Sequence, residues 1–254
     1  MDWSNEVLLI SGGVLAGVVN TVSGSGTLFS MGVMSLTGIP LSVANIATRP
    51  GVFFQNISGI LVLSRYRQFS IKNMSWRLVI STGIGAMLGA VCAGLISGRS
   101  FNVVASLVML LLLIQYLFPK AFKKWNNSFS QRTALPNPLL FFFAGFYGGF
   151  IQIGIGILIL TLVLKQLSMS FAEANAYKLV IILFYTVPTT IYFASINAIL
   201  WKPALIVAIG QVIGAALAAV FLSVSTKAKI WATWITVVMI LVTLGKIWLF
   251  DQMA

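Results

Sequence analysis

Eight long apolar runs separated by short connections decide what this chain can become. They are Val7–Ile39, Leu41–Leu63, Leu78–Ile96, Phe101–Phe118, Leu139–Leu164, Ala174–Ala194, Leu205–Val224 and Ile230–Phe250. A helix that crosses a bilayer needs about 20 apolar residues, and most of these runs have that length. A soluble fold is excluded by composition. Of 254 residues, 59% are hydrophobic and 8% charged, where a soluble domain carries about 25% charged residues. Such a chain cannot cover a water-facing surface, so lipid is its solvent and the fold class is all-α, a polytopic integral membrane protein. The N-terminus, Met1-Asp2-Trp3-Ser4-Asn5-Glu6, is acidic where a signal peptide is basic, so the first run is expected to be retained.

Two runs depart from a simple spanning helix. The first is too long for one span and carries Asn20, Thr21, Ser23, Gly24, Ser25, Gly26 and Thr27 near its middle; the fifth carries Tyr147, Gly148, Gly149, Gln152, Gly154 and Gly156. Irregular backbone at membrane depth survives only where protein or a water-filled cavity surrounds it, so both are read as broken or re-entrant helices.

The chain also repeats itself. Ala44-Asn45 matches Ala174-Asn175 (175 − 45 = 130), and Gly24-Ser25-Gly26 matches Gly154-Ile155-Gly156 at the same offset. Gly85-x-x-x-Gly89 matches Gly210-x-x-x-Gly214 (210 − 85 = 125). The polar stretch 119–138 lies between the copies. The expected organisation is a first transmembrane repeat at 1–118, a basic linker at 119–138 and a second repeat at 139–254, each repeat a broken pair plus three spanning helices. Internal duplication of this kind is common among transporters. The two glycine pairs are read as close helix packing.

Net charge is +12, from 16 Lys+Arg against 4 Asp+Glu. The basic residues lie mainly in the connections, as the positive-inside rule has it, and form no basic face for nucleic acid. Arg65, Arg67, Lys72 and Arg77 share a side with Lys120, Lys123, Lys124 and Arg132, and only Arg99 lies between them. If each broken run returns to its own side, Lys165, Lys227 and Lys229 join the basic side, Lys202 falls on the other, and the halves are inverted. If each crosses once, those three lysines change sides. The first version obeys the rule better and sets the linker in the cytoplasm of a cell with this plasma (bacterial inner) membrane. Trp76, Trp125, Trp201, Trp231, Trp234 and Trp248 are read as interfacial anchors.

Catalysis finds no support. There is no histidine, and the acids are Asp2, Glu6, Glu173 and Asp251, so no base stands beside a nucleophile. The single Cys92 permits no disulfide or thiolate cluster, and neither a metal nor a cofactor is expected. What stands out is polarity inside apolar runs. Asn45, Thr48, Arg49, Gln55 and Asn56 lie in the second run, Asn175, Lys178 and Tyr185 in the sixth. Helical spacing puts Asn45, Arg49 and Asn56 on one face, and Asn175, Lys178 and Tyr185 on another. Each half thus offers an amide and a cation, with a broken helix whose N-terminus carries free N–H groups, which together describe an anion site. Asn45, Arg49, Asn175 and Lys178 are expected to face one central cavity lined by both breaks. The rival for each cation is snorkelling to the interface.

Taken together these residues resemble the TauE/SafE family of sulfite and organosulfonate exporters. The resemblance rests on Gly17-x-x-Asn20-Thr21-x-x-Gly24-x-Gly26-Thr27, on Gly38-Ile39-Pro40 before Ala44-Asn45, on Ala144-Gly145-Phe146-Tyr147-Gly148-Gly149 with Gly154-x-Gly156, and on Ala174-Asn175-Ala176-Tyr177-Lys178. It implies a secondary transporter that exports a small anion such as sulfite or sulfoacetate, by alternating access around a central cationic site. Gln152-Ile153-Gly154-Ile155-Gly156 is bulkier than the family's glycine cluster. The partners expected are a small anionic substrate and the bilayer, without nucleic acid; a homodimer stays open. A passive anion channel and a structural or assembly protein are the rival functions. Proton coupling would have to run through Glu173 or the substrate.

Overall fold

The computed structural model describes residues 3–65, 74–119, 136–167, 169–222 and 228–249. Most of the central linker, Arg67, Lys72, Lys227, Asp2, Asp251 and Trp125 lie outside them, as do the side chains of Lys229 and Trp231. Among the described residues the regular structure is helical throughout. The helices are α1 (Trp3–Val22), α2 (Thr27–Leu36), α3 (Leu41–Ala47), α4 (Arg49–Arg65), α5 (Trp76–Leu95), α6 (Gly98–Leu117), α7 (Pro138–Phe150), α8 (Ile155–Gln166), α9 (Phe171–Ser195), α10 (Trp201–Leu222) and α11 (Ala228–Leu249). Five of them, α1, α5, α6, α9 and α10, are long and apolar enough to cross a membrane.

The two interrupted runs break where a glycine takes a left-handed turn. Gly24 has φ 85° and Gly154 φ 72°, a region that costs a side chain dearly and glycine little. The interruptions are narrower than the polar patches that betrayed them. Asn20 and Thr21 still belong to the last turn of α1, and Tyr147, Gly148 and Gly149 to that of α7. After each break the chain doubles back. Val33 of α2 fills the space beside Gly12 of α1, while Gly26 lies against Ala16 and Asn20. In the second half Asn137 N–H donates to Gln166 Oε1 (2.6 Å) at the open end, and Gly148 faces Ile155 at the tip. Both pairs are therefore antiparallel hairpins that return to the side they came from.

The second run, expected as one helix, is divided at Thr48. Pro50 has no N–H to give to the preceding turn and its ring crowds that turn, so α3 ends and α4 begins one residue apart with the chain still coiled. Thr48 N–H bonds the Ala44 carbonyl (3.0 Å) and Val52 N–H bonds that of Thr48 (3.0 Å).

Small residues set the packing. Gly13 and Gly17 of α1 lie against the backbone of α10 at Val207, Gly210 and Gln211, and Gly210 and Gly214 return the contact at Ile10 and Val14. Gly145 and Gly149 of α7 meet Thr82 and Ala86 of α5, while Gly85 and Gly89 meet Phe142 and Phe146. Residue numbers rise together in both pairs, so the helices are parallel. In each case the first helix of one half packs on a helix of the other half. At the centre α4 and α9 run antiparallel, with Gly59 against Leu179 and Arg49, ten residues earlier, over the Phe193 ring, fourteen residues later.

Two faces follow. Glu6 and Lys202 pair at 3.1 Å, which sets the starts of α1 and α10 at one face. Ser81 Oγ donates to the Pro138 carbonyl (2.6 Å) and Ser75 N–H to Tyr177 Oη (2.8 Å), which sets the starts of α5, α7 and α9 at the other. Trp76 and Trp201 open α5 and α10 with their rings half exposed.

The close approaches give a direct test. A valine at Gly17 or Gly149 would drive its Cβ into the backbone of α10 or α5, and overpacking of this kind costs about 1–3 kcal/mol or more. Gly17→Val and Gly149→Val are expected to lower the melting temperature of the purified protein and broaden its size-exclusion peak. Gly245, which has open space around it, should accept alanine with no loss.

Candidate functional site

The polar groups cluster at the two breaks. α3 and the first turn of α4 hold one arm of the cluster. Asn45 Nδ2 donates to the Phe150 carbonyl (3.0 Å), and Gln152 N–H donates to Asn45 Oδ1 (3.1 Å). One side chain thus satisfies a donor and an acceptor that α7 leaves bare at its end. Thr48 Oγ1 donates to the Asn45 carbonyl (3.2 Å) and to Gln152 Oε1 (3.3 Å). Arg49 Nη2 donates to the Gly149 carbonyl, with its guanidinium carbon 4.7 Å from the centre of the Phe193 ring.

α9 serves the other break. Lys178 Nζ donates to the Asn20 carbonyl in the last turn of α1 (3.1 Å). Ser23 Oγ bonds the Val19 carbonyl (2.9 Å) and pairs with Ser25 Oγ (3.0 Å), which pairs in turn with Thr236 Oγ1 of α11 (3.3 Å). Asn175, the counterpart of Asn45 in the repeat, is buried with no partner for its Oδ1. The breaks touch: Gly24 lies against the backbone of Gly156, and Thr27 Oγ1 donates to the Gln152 carbonyl (2.6 Å).

Neither cation snorkels. Arg49 and Lys178 are both 0% exposed. Lys178 and Phe193 are fifteen residues apart on α9 (193 − 178 = 15), about 22 Å along the axis, so the two cations reach the breaks from opposite ends of that helix. No carboxylate among the described residues faces either one. Glu6 pairs with Lys202 at a surface. Glu173 is exposed and closes a capping box with Ser170, accepting from its N–H (2.9 Å) and its Oγ (2.7 Å). It caps α9 from an exposed position at the helix start.

Partial compensation comes from the backbone. Gly149 and Asn20 lie in last turns, where carbonyls lack helical partners and carry the negative end of the helix dipole. That is a modest field for a full buried charge. Arg49 keeps Nε and Nη1 unbonded, and Tyr185 Oη is also without a partner. Tyr185 Oη lies beside Gly148, one residue from the carbonyl that Arg49 holds. The helix N-termini expected to offer free N–H groups are those of α2 and α8, and Gly26 and Gly154 before them supply no side-chain cap.

The remaining expected residues are buried along the same helices. Thr21 sits in the last turn of α1. Gln55 has both amide atoms unbonded, and Asn56 bonds only its own helix, at the Val52 carbonyl (2.7 Å). Sequence reasoning missed Gln211 of α10, which is fully buried, donates through Nε2 to Ser30 Oγ (2.6 Å) and packs over Gly51. The signal was present, since Gln211 is the one amide in the run Leu205–Val224. Tyr147, noted only as part of a glycine-rich patch, donates through its hydroxyl to the Ile153 carbonyl inside the break.

Comparison with known proteins agrees with this architecture. A family model described as Sulfite exporter TauE/SafE matches residues 9–247. A "Probable membrane transporter protein" of Haemophilus influenzae (strain ATCC 51907 / DSM 11121 / KW20 / Rd) is 24% identical over 249 residues, which is 96% of this chain and 94% of that protein. No solved structure matches.

The capping box yields a test. Ser170→Ala should cost about 0.5–2 kcal/mol of stability, as lost N-caps do. Glu173→Gln should leave the pH profile of transport in liposomes unchanged. A shifted profile would return Glu173 to a proton-carrying role.

Proposed function

The chain belongs to the sulfite exporter TauE/SafE family, and on that premise we propose that it is a secondary transporter exporting a small anion, sulfite or an organosulfonate such as sulfoacetate. The observation that carries the proposal is the pair of buried cations, Arg49 and Lys178, with no carboxylate facing them among the described residues. An isolated buried charge is costly. Here each has a carbonyl for company, and Arg49 has two further N–H groups free. A small oxyanion supplies the missing countercharge. Tyr185 Oη offers it a neutral donor beside Arg49.

Alternating access suits the arrangement. The hairpins α1–α2 and α7–α8 meet at their tips and are served by side chains from the opposite half. We read the halves as inverted repeats about an axis in the membrane plane. In support, α4 and α9, which carry the matching Ala-Asn runs at or just before their starts, are antiparallel, and an axis along the membrane normal would leave them parallel. The linker side is taken as cytoplasmic in a bacterial inner membrane, since its connections hold most of the lysines and arginines. Export then needs no coupled ion, because an interior-negative potential drives an anion outward with about 2.3 kcal/mol per elementary charge and 100 mV.

Proteoliposomes test the reading. The protein should catalyse saturable sulfite counterflow, accelerated by a potential negative on the substrate side; flux without counterflow would mark a channel instead. Arg49→Gln and Lys178→Gln should each reduce flux about tenfold or more, since a charged hydrogen bond is worth about 1.5–3 kcal/mol, while the purified variants stay monodisperse. Normal flux from both would remove these cations from the transport path.

A further inference from the structure

The two halves treat their breaks differently, and the difference falls on one pair of residues. Asn45 and Asn175 occupy the same place in the repeat, at an offset of 130. Asn45 clasps the break after α7 with both ends of its amide, taking the Gly149–Gln152 stretch through Phe150 O and Gln152 N. Thr48 and Arg49 reinforce the clasp. Asn175 is as deeply buried, at 2% exposure, yet its Oδ1 has no partner. The Asn20 carbonyl, which matches Phe150 at the same offset (150 − 130 = 20), is held by Lys178 instead. A buried amide oxygen without a donor is costly, and in a repeat protein its counterpart shows which bond it lacks.

We infer that Asn45 and Asn175 are alternating clasps. The arrangement seen here is the state in which Asn45 holds the second break. In the oppositely facing state Asn175 takes the backbone at the end of α1, and Asn45 lets go of the end of α7. The two amides are positioning residues: each stabilises one of the two states by fixing the hairpin tip that the other half presents. The inference rests on the alternating-access reading above and deepens it by naming the contacts that exchange. Its physical content is that a bond present in one state only shifts the equilibrium by the free energy of that bond. A merely structural pair would affect both states alike.

The test uses the full-length protein in oriented vesicles, with Cys92→Ala as background and Gln55→Cys as reporter. Gln55 is buried on α4 with no bonded partner to lose. A membrane-impermeant thiol reagent is applied to either face, without substrate. Asn45→Ala should raise labelling from one face and lower it from the other, changing the ratio by about threefold or more, within the range that one or two hydrogen bonds allow. Asn175→Ala should change the ratio in the opposite direction, and the double variant should return towards the starting value. If Asn45→Ala cannot be recovered monodisperse, Asn45→Ser carries the same expectation with a smaller shift. Shifts of the same sign, no shift, or no labelling in any background would overturn the inference. Flux of sulfite and sulfoacetate is measured in parallel on vesicles of the unaltered protein, with Gln55 in place. Opposite shifts without flux of either anion would sink the substrate assignment and leave the exchange of clasps standing.

Discussion

Everything in this protein depends on closing the hydrogen bonds of backbone that is not helical at membrane depth. In hydrocarbon an unpaired N–H or C=O costs several kcal/mol, and each hairpin tip uncovers a set of them. The solutions are side chains sent across from the other half: Asn45 for the Phe150 carbonyl and the Gln152 amide, Arg49 for Gly149, Lys178 for Asn20, Thr27 for Gln152. The same side chains that make the breaks tolerable carry the positive charge. On the proposed reading, the anion site and the closure of the breaks share one set of atoms.

The second organising feature is the reach of glycine. Four helices approach backbone to backbone, α1 with α10 and α5 with α7, at distances that no Cβ would permit. Association in lipid gains little from burying apolar surface, so van der Waals contact between such faces has to supply the attraction. The two contacts are not identical. Gly17 lies against Gln211, whereas Gly149 lies against Ala86, the residue at the matching offset (211 − 125 = 86). Gln211 therefore ties α2 to α10 through Ser30 in a way the second half does not reproduce.

Much of this was legible in the sequence. Period, length and the absence of charge gave the helices; glycine-rich polar patches within apolar runs gave both hairpins; the repeat offset found Asn45 and Asn175. What was hidden had physical reasons. The division between α3 and α4 comes from Pro50, whose effect in a coiled segment is a local loss of one bond and leaves the apolar pattern intact. Each break is narrower than its polar patch, because Asn20 and Thr21 stay in the last turn of α1 until Gly24 turns left-handed. Gln211 escaped because its partner, Ser30, is 181 positions away. Spacing also could not tell a cation that caps a helix end from one that snorkels, since both lie near the start of a run.

The exchange of first helices between halves bears on how the chain is made. The glycine face of α1 has its partner on α10, and 201 − 22 = 179 residue positions separate the end of one from the start of the other. At about 5–20 residues per second of synthesis, α1 waits roughly ten to thirty-five seconds for the surface it is shaped to fit. During that interval a helix with glycines at its contact face and polar groups at its tip stands in the bilayer half-matched. The native bundle closes only when the tenth helix arrives.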